Sequence, residues 1–304
     1  MAQKDVLIVK RRKPQKPFSK KIEPWVYLLP AIIFFVMFTY YPFIKTVYSS
    51  FFVVNSMGVI RRFTGFTNYL KVLQSPSFGT AIGNTLIYVI LAAPISIVIA
   101  LVLALIANKP RKMSPLYETM FAVTMAMSMS VSAMIFKLAY NPTIGILNQV
   151  MGTNINWLND KKYAMLAIGI ISTWMNVGYN FIFLLAAVRQ IPQEILESSA
   201  LDGVNPLRKT VSIILPLISP TTFYLICTSL AKSMMMSGLV LIFTNSAALN
   251  TTANIDTLIS YMYKQSVNNL NYNDGYAIAI IAFLITGILM LISFRFEKKG
   301  VHYN

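Results

Sequence analysis

Residues 197–220 read ESSALDGVNPLRKTVSIILPLISP; they lie between two long apolar stretches and are too polar to form another. Just ahead, Pro192 suits the first turn of a short helix, because the N–H it lacks would have no intrahelical partner there. Glu194 and Glu197 place negative charge near that helix's positive end. Gly203, after Asp202, is where a left-handed residue ends the helix, and a second short helix begins around Pro206. The pattern predicts helix, tight turn, helix: a compact knob. Ile195, Leu196, Ala200 and Leu201 are its apolar residues, whereas Glu194, Glu197, Asp202, Arg208 and Lys209 leave a charged outer face. A knob of this kind can dock on a soluble protein while staying tied to membrane helices. Spacing alone equally admits a solvated connector, since Asp-Gly marks turns in general.

Composition decides the class of protein around the knob. The chain has 304 residues, 56% of them hydrophobic and 12% charged, against about 25% charged in a soluble domain. It reads as an all-α polytopic membrane protein. Six stretches reach the roughly 20 apolar residues a bilayer span requires: 25–47, 85–107, 116–138, 164–188, 214–239 and 276–294, the fifth extending toward Phe243. The net charge of +16 sits in residues that flank these stretches. A nucleic-acid surface needs clustered cations without intervening spans, so no nucleic-acid partner is expected. Instead the basic residues orient the chain. The N-terminal tail, Lys109, Arg111, Lys112, Arg189, Arg208, Lys209, Arg295, Lys298 and Lys299 mark one side as cytoplasmic. Arg61, Arg62, Lys71, Lys161, Lys162 and Lys264 lie on the other. Both termini and the knob, at 189–213, then face the cytoplasm.

Residues 1–24 form a basic tail among prolines, with anionic lipid headgroups as a further partner for its lysines. The apolar run after it is too long for a signal peptide and is expected to be retained as a span. Residues 298–304 form a short C-terminal tail that includes His302, the one histidine. Cys227, the one cysteine, lies within an apolar stretch and reads as an inert buried thiol.

The 197–220 stretch resembles the cytoplasmic coupling loop, or EAA motif, of binding-protein-dependent ABC importer permeases, whose pattern is Glu-Ala-Ala, Asp-Gly, then Leu-Pro. Glu197, Asp202, Gly203, Leu215 and Pro216 match it; Ser198 and Ser199 stand where alanines are usual, followed by Ala200. The resemblance covers about residues 25–297: GFTNYLKVL at 65–73, NTLIYVI at 84–90, GILNQVMG at 145–152, NWL at 156–158 and RQIP at 189–192 are similar to sugar permeases of the maltose and glycerol-phosphate type. It implies a type I importer fold with six transmembrane helices and a coupling helix between the fourth and fifth. It further implies a second homologous permease, usually non-identical, two ATPase subunits that use ATP and Mg, and an external sugar-binding protein. This chain would bind no cofactor itself. The location implied is the bacterial cell membrane.

The chain departs from the family in two places. Its third span reads AVTMAMSMSVSAMIF at 122–136, with Thr124 and Met129 near the usual prolines, and a proline-free, methionine-rich helix is expected to be straighter and softer. The family's Gly-Gly-Pro after the fifth span is replaced by NSAALN at 245–250.

Catalytic chemistry is missing from the sequence. It contains no G-x-x-x-x-G-K-[ST] phosphate loop, no histidine-rich metal site and no nucleophile triad. Acidic residues are absent from the interior of the spans, which argues against a proton-driven transporter. A membrane enzyme is disfavoured for the same reasons, and an ATPase-independent channel would leave the knob unexplained. For the substrate path, polar and aromatic residues at membrane depth are the candidates. Asn176, Tyr179 and Asn180 share one face of the fourth span, and on the fifth Ser233 and Met236 occupy positions that face substrate in maltose-type permeases. Interhelical hydrogen bonding is the competing role. Lys232, beside Ser233, either snorkels to the interface or meets an anionic cargo such as an acidic or phosphorylated sugar.

Overall fold

The computed structural model describes residues 18–108, 111–245 and 253–300. The first 17 residues, Lys109, most of the NSAALN stretch and His302 lie outside the described residues. The chain divides into two units, Met1–Tyr48 and Ser49–Asn304. In the first, helix α1 (Phe18–Phe35) runs through a π-helical turn, Val36–Tyr40, into α2 (Tyr41–Ser50), which ends in the second unit. Pro42 has no N–H to give, and in the turn ahead of it the Tyr41 N–H reaches back five residues to the Val36 carbonyl.

The second unit opens with a two-stranded antiparallel hairpin, β1 (Phe52–Val54) and β2 (Ile60–Phe63), a small addition to the all-helical expectation. Then come α3 (Thr67–Leu73), α4 (Pro76–Ala107), α5 (Ser114–Ala126), α6 (Met129–Ala139), α7 (Ile146–Met151) and α8 (Ala164–Arg189). Short helices α9 (Gln193–Leu201), α10 (Pro206–Lys209) and α11 (Leu215–Leu217) follow, with α12 (Ser219–Met234), α13 (Gly238–Asn245), α14 (Leu258–Tyr263) and α15 (Tyr272–Gly300) closing the chain.

Among the described residues, five helical stretches are long and apolar enough to cross a membrane: Pro24–Ser50, Pro76–Ala107, Ala164–Arg189, Ser219–Thr244 and Tyr272–Glu297. The sixth is the pair α5 and α6, bent by 104°. This corrects the straight third span expected from its lack of proline. Met127 is extended (φ −72°, ψ 133°), and the Ser128 hydroxyl caps the next helix by accepting the Val131 N–H. A serine cap ends one helix and starts another here. The fifth span is also displaced from 214–239: it runs over α12 and α13, interrupted after Met234. There the Met236 carbonyl accepts a hydrogen bond from Thr257 Oγ1 at 2.6 Å. The two interruptions meet. A β-carbon on Gly238 would overlap the Met129 sulfur, so the start of α13 and the start of α6 touch.

The seam between α4 and α8 runs through two of the three buried apolar clusters, the third lying among α3, α4, α12, α14 and α15. Small buried residues, Ala92, Ala93, Ala100 and Ala104 on α4 and Ala167 and Gly169 on α8, let the backbones approach. Two buried polar contacts cross it, Tyr88 to Ser172 and Asn180 Nδ2 to Ser96 Oγ. The third span joins through Gly178, where any side chain would strike the Phe121 carbonyl of α5.

Family-like motifs outside the knob prove to be backbone pins. Asn68 donates to the Ser50 and Phe52 carbonyls, and Asn84 to those of Asn254 and Asp256. Asn148, 3% exposed, donates to Ile155 O and accepts from Thr153 Oγ1 and Trp157 Nε1, which ties GILNQVMG to NWL. Replacing it should strand several buried polar groups. Asn148→Ala is expected to lower stability in detergent by about 3 kcal/mol, read by chemical denaturation of the purified chain. A midpoint equal to wild type would remove Asn148 as the holder of this loop.

Candidate functional site

The knob forms as helix, turn and helix. α9 begins directly after Pro192 and carries Glu194 in its first turn. Gly203 has φ +67°, the left-handed conformation that an Asp-Gly turn requires. Asn205 caps α10 by accepting the Leu207 N–H at 3.1 Å, and Pro206 fills its first position. The chain leads from the knob toward the fifth span through a π-helical turn, Thr210–Ile214, just ahead of Pro216. As at Pro42, the helix slips to a five-residue hydrogen bond, Leu215 N–H to Thr210 O, before a proline.

Within the knob the two serines bond their own helix, Ser198 Oγ to Ile195 O and Ser199 Oγ to Leu196 O at 2.8 Å. Ser199 is buried, while Glu197 and Asp202 are exposed. The side chain of Ala200 lies outside the described residues. The outer surface is not purely charged, as the residue pattern suggested: Leu201 is 90% exposed and Leu207 76%. Lys209 instead turns inward and donates to Leu196 O at 2.7 Å, tying α10 to α9. Behind the knob, Arg189 pairs with Glu118 of α5 at 2.6 Å and donates to the Ala107 carbonyl that ends α4. Three helices are thus joined where the knob begins. Glu118 and the leucine tip were missed in the sequence; two exposed leucines flanking an Asp-Gly turn were the available signal.

At membrane depth the three candidates of α8 part company. Asn180 is buried against α4, and its Oδ1 has no hydrogen-bond partner among the described residues. Asn176 folds back on Ser172, donating to its carbonyl at 2.8 Å. Tyr179 faces α12: its hydroxyl shares a hydrogen bond with that of Tyr224 at 3.1 Å, and the Lys232 ammonium lies 4.1 Å from its ring centre. Phe183 packs its ring at a tilt against both tyrosines. Lys232 therefore has a partner in a π-face, which the sequence did not reveal. It is exposed and, among the described residues, has no carboxylate partner. Ser233 is buried, and Met236 packs in part against the core. Tyr224 and Lys232 stand two helical turns apart, a spacing that could have linked them in advance. No group of three or more metal-ligating side chains occurs among the described residues.

Known proteins resemble the chain along nearly its whole length. The sn-glycerol-3-phosphate transport system permease protein UgpA of Agrobacterium fabrum is 30% identical over 291 residues, covering 94% of this chain and 98% of that protein. The UgpA of Yersinia pestis is 28% identical over 296 residues, 96% of this chain and 99% of that one. Among solved structures, a chain of a bacterial alginate ABC transporter in complex with an alginate pentasaccharide-bound periplasmic protein superposes with a TM-score of 0.78 at 22% identity, covering 93% of this chain and 97% of that one. A chain of the MetNI methionine ABC transporter gives 0.54 at 11% identity over 74% of this chain and 96% of its own. Residues 73–298 match the family described as binding-protein-dependent transport system inner membrane component. Spans, knob and likeness converge: the chain belongs to this family, as a permease subunit of an ABC importer and not an enzyme.

Proposed function

We propose that this chain forms half of the pathway of an ATP-driven importer for a sugar or oligosaccharide, with α9 and α10 as the ATPase-coupling element. The observation that carries the coupling role is the exposed Leu201 and Leu207 tip on a turn held by Gly203. A second, homologous permease completes the pathway, two ATPase subunits use ATP and Mg, and an external binding protein delivers cargo. The knob and both termini face the cytoplasm of a bacterial cell, following the distribution of basic residues. ATP-driven closure of the ATPases draws the docked knobs together. Because Arg189 and Glu118 join α8 to α5 just behind the knob, that motion passes into the spans as a rigid-body switch.

One observation favours an acidic or phosphorylated cargo over a neutral one. Lys232 lies over Tyr179 beside Tyr224 and Phe183, a cation on an aromatic surface that suits an anionic group on a sugar ring. The relatives' names, glycerol phosphate and the acidic polysaccharide alginate, support the same class.

The coupling role is tested at the tip. Leu201→Asp should insert normally yet lose ATPase co-purification by more than tenfold, as expected for an interface anchor. Full retention would remove the leucine from the interface. Gly203→Pro forces φ to about −65°, and it should leave insertion intact while uncoupling ATP hydrolysis from uptake. Normal uptake would exclude the turn from the mechanism. For cargo, reconstituted complexes are screened with binding protein loaded with neutral or acidic sugars. Lys232→Met should reduce stimulation by an acidic sugar about tenfold and leave a neutral one unchanged; equal stimulation by an acidic sugar in wild type and variant would reduce Lys232 to an interface anchor.

A further inference from the structure

A cavity of about 1180 Å³ forms an open groove between the knob and the ends of α4 and α8. Its walls are Leu105 and Ile106 of α4, Ile191, Leu196 of α9, and Ile214, with Arg111, Arg189 and Lys209 along the rim. Glu197 lines the knob side. Arg189 is neutralised by Glu118, but neither Arg111 nor Lys209 has a carboxylate partner among the described residues, and Lys209, which gives one N–H to Leu196 O, has two more to offer. The groove is therefore apolar along its walls and cationic at its rim.

Its depth gives this polarity a meaning. α4 and α8 are both long and apolar enough to cross a membrane, and their C-terminal ends meet, Arg189 Nη2 donating to Ala107 O at 3.3 Å. In a bilayer spanned by α4 and α8, the rim at their ends would lie where the hydrocarbon gives way to headgroups. Ile106, 65% exposed, faces outward one residue before that boundary. An isolated phosphate would have no use for the apolar walls, and an uncharged chain none for the rim cations. A phospholipid with a net negative headgroup uses both.

We propose that this groove binds an anionic phospholipid, its phosphate at Arg111 and Lys209 and an acyl chain along Leu105, Ile106 and Ile214. The lipid would fill the space between the knob and the span ends, so that α9 and α10 move against a fluid packing surface instead of a void. The site depends only on α4 and α8 crossing the bilayer. It stands whether or not the knob meets an ATPase.

The test uses the full chain purified with its partner subunits, placed in nanodiscs of phosphatidylcholine with a minor fraction of phosphatidylglycerol, and released for native mass spectrometry. Wild type should retain one phosphatidylglycerol per copy in preference to phosphatidylcholine. Removing a basic residue near a headgroup weakens such retention about fivefold, so Arg111→Gln should lose that amount and Arg111→Gln with Lys209→Gln about twenty-five-fold. Arg111→Lys, which keeps the charge, should restore most of it. Because the Arg111 side chain is exposed, its single variant remains interpretable if the Lys209 change disturbs folding. Equal retention in wild type and Arg111→Gln overturns the proposal. So does displacement of the lipid by millimolar inorganic phosphate, which would make the groove a soluble-anion site. Loss of the ATPase from Arg111→Gln with lipid retention unchanged would assign the rim to that subunit.

Discussion

The helices that lead to the knob depend on how closely α4 and α8 can approach. Inside a bilayer the surrounding lipid is as apolar as leucine, so exclusion from water does not drive helices together. Dispersion between close backbones and a few interhelical hydrogen bonds must do it. Alanines at 92, 93, 100 and 104 and Gly169 remove the side-chain bulk that would separate the pair. Tyr88 with Ser172 and Asn180 with Ser96 then hold the seam at two levels. Once it is formed, Gly178 admits α5 onto α8, and Arg189 joins the ends of both to α4. The knob follows directly from α8 and inherits its position.

Around this seam, irregular backbone is managed by a small number of polar side chains. Asn68, Asn84 and Asn148 each satisfy carbonyls of loops distant in sequence or in turn. Thr257 does so for the interruption in the fifth span, and it shares a capping box with Ser260. Buried backbone groups need partners wherever they leave a helix, and a primary amide is suited to this because it donates and accepts at once. The family-like motifs are thus explained by backbone accounting in the loops and by turn geometry at the knob.

The interrupted third span shows how two local rules compete. Absence of proline removes one cause of a bend, and methionines repack easily, which together predicted a straight helix. But Ser128 offers a hydroxyl to a new helix start, and Gly238 across from it leaves room for Met129. A cap and a space on a neighbouring helix achieve what a proline achieves elsewhere. Only the first of these is local. The second depends on a residue more than 100 positions away, which no reading of the span itself could supply.

What the sequence by itself determined was local or compositional: spans from apolar runs, and the knob from Pro192, Asp202, Gly203 and Pro206. Each needs only neighbours within a turn or two, because backbone φ and hydrogen-bond valence act at that range. The tertiary structure decided which side chains meet. It separated Asn176, Tyr179 and Asn180, adjacent on one helix, among three different surroundings, and it gave Lys232 an aromatic partner from another span. It also turned Lys209 inward and left Leu201 and Leu207 outward, against the residue pattern. Those outcomes depend on the rotation of one helix against the next, set by small-residue packing along the whole seam and not encoded at any one position.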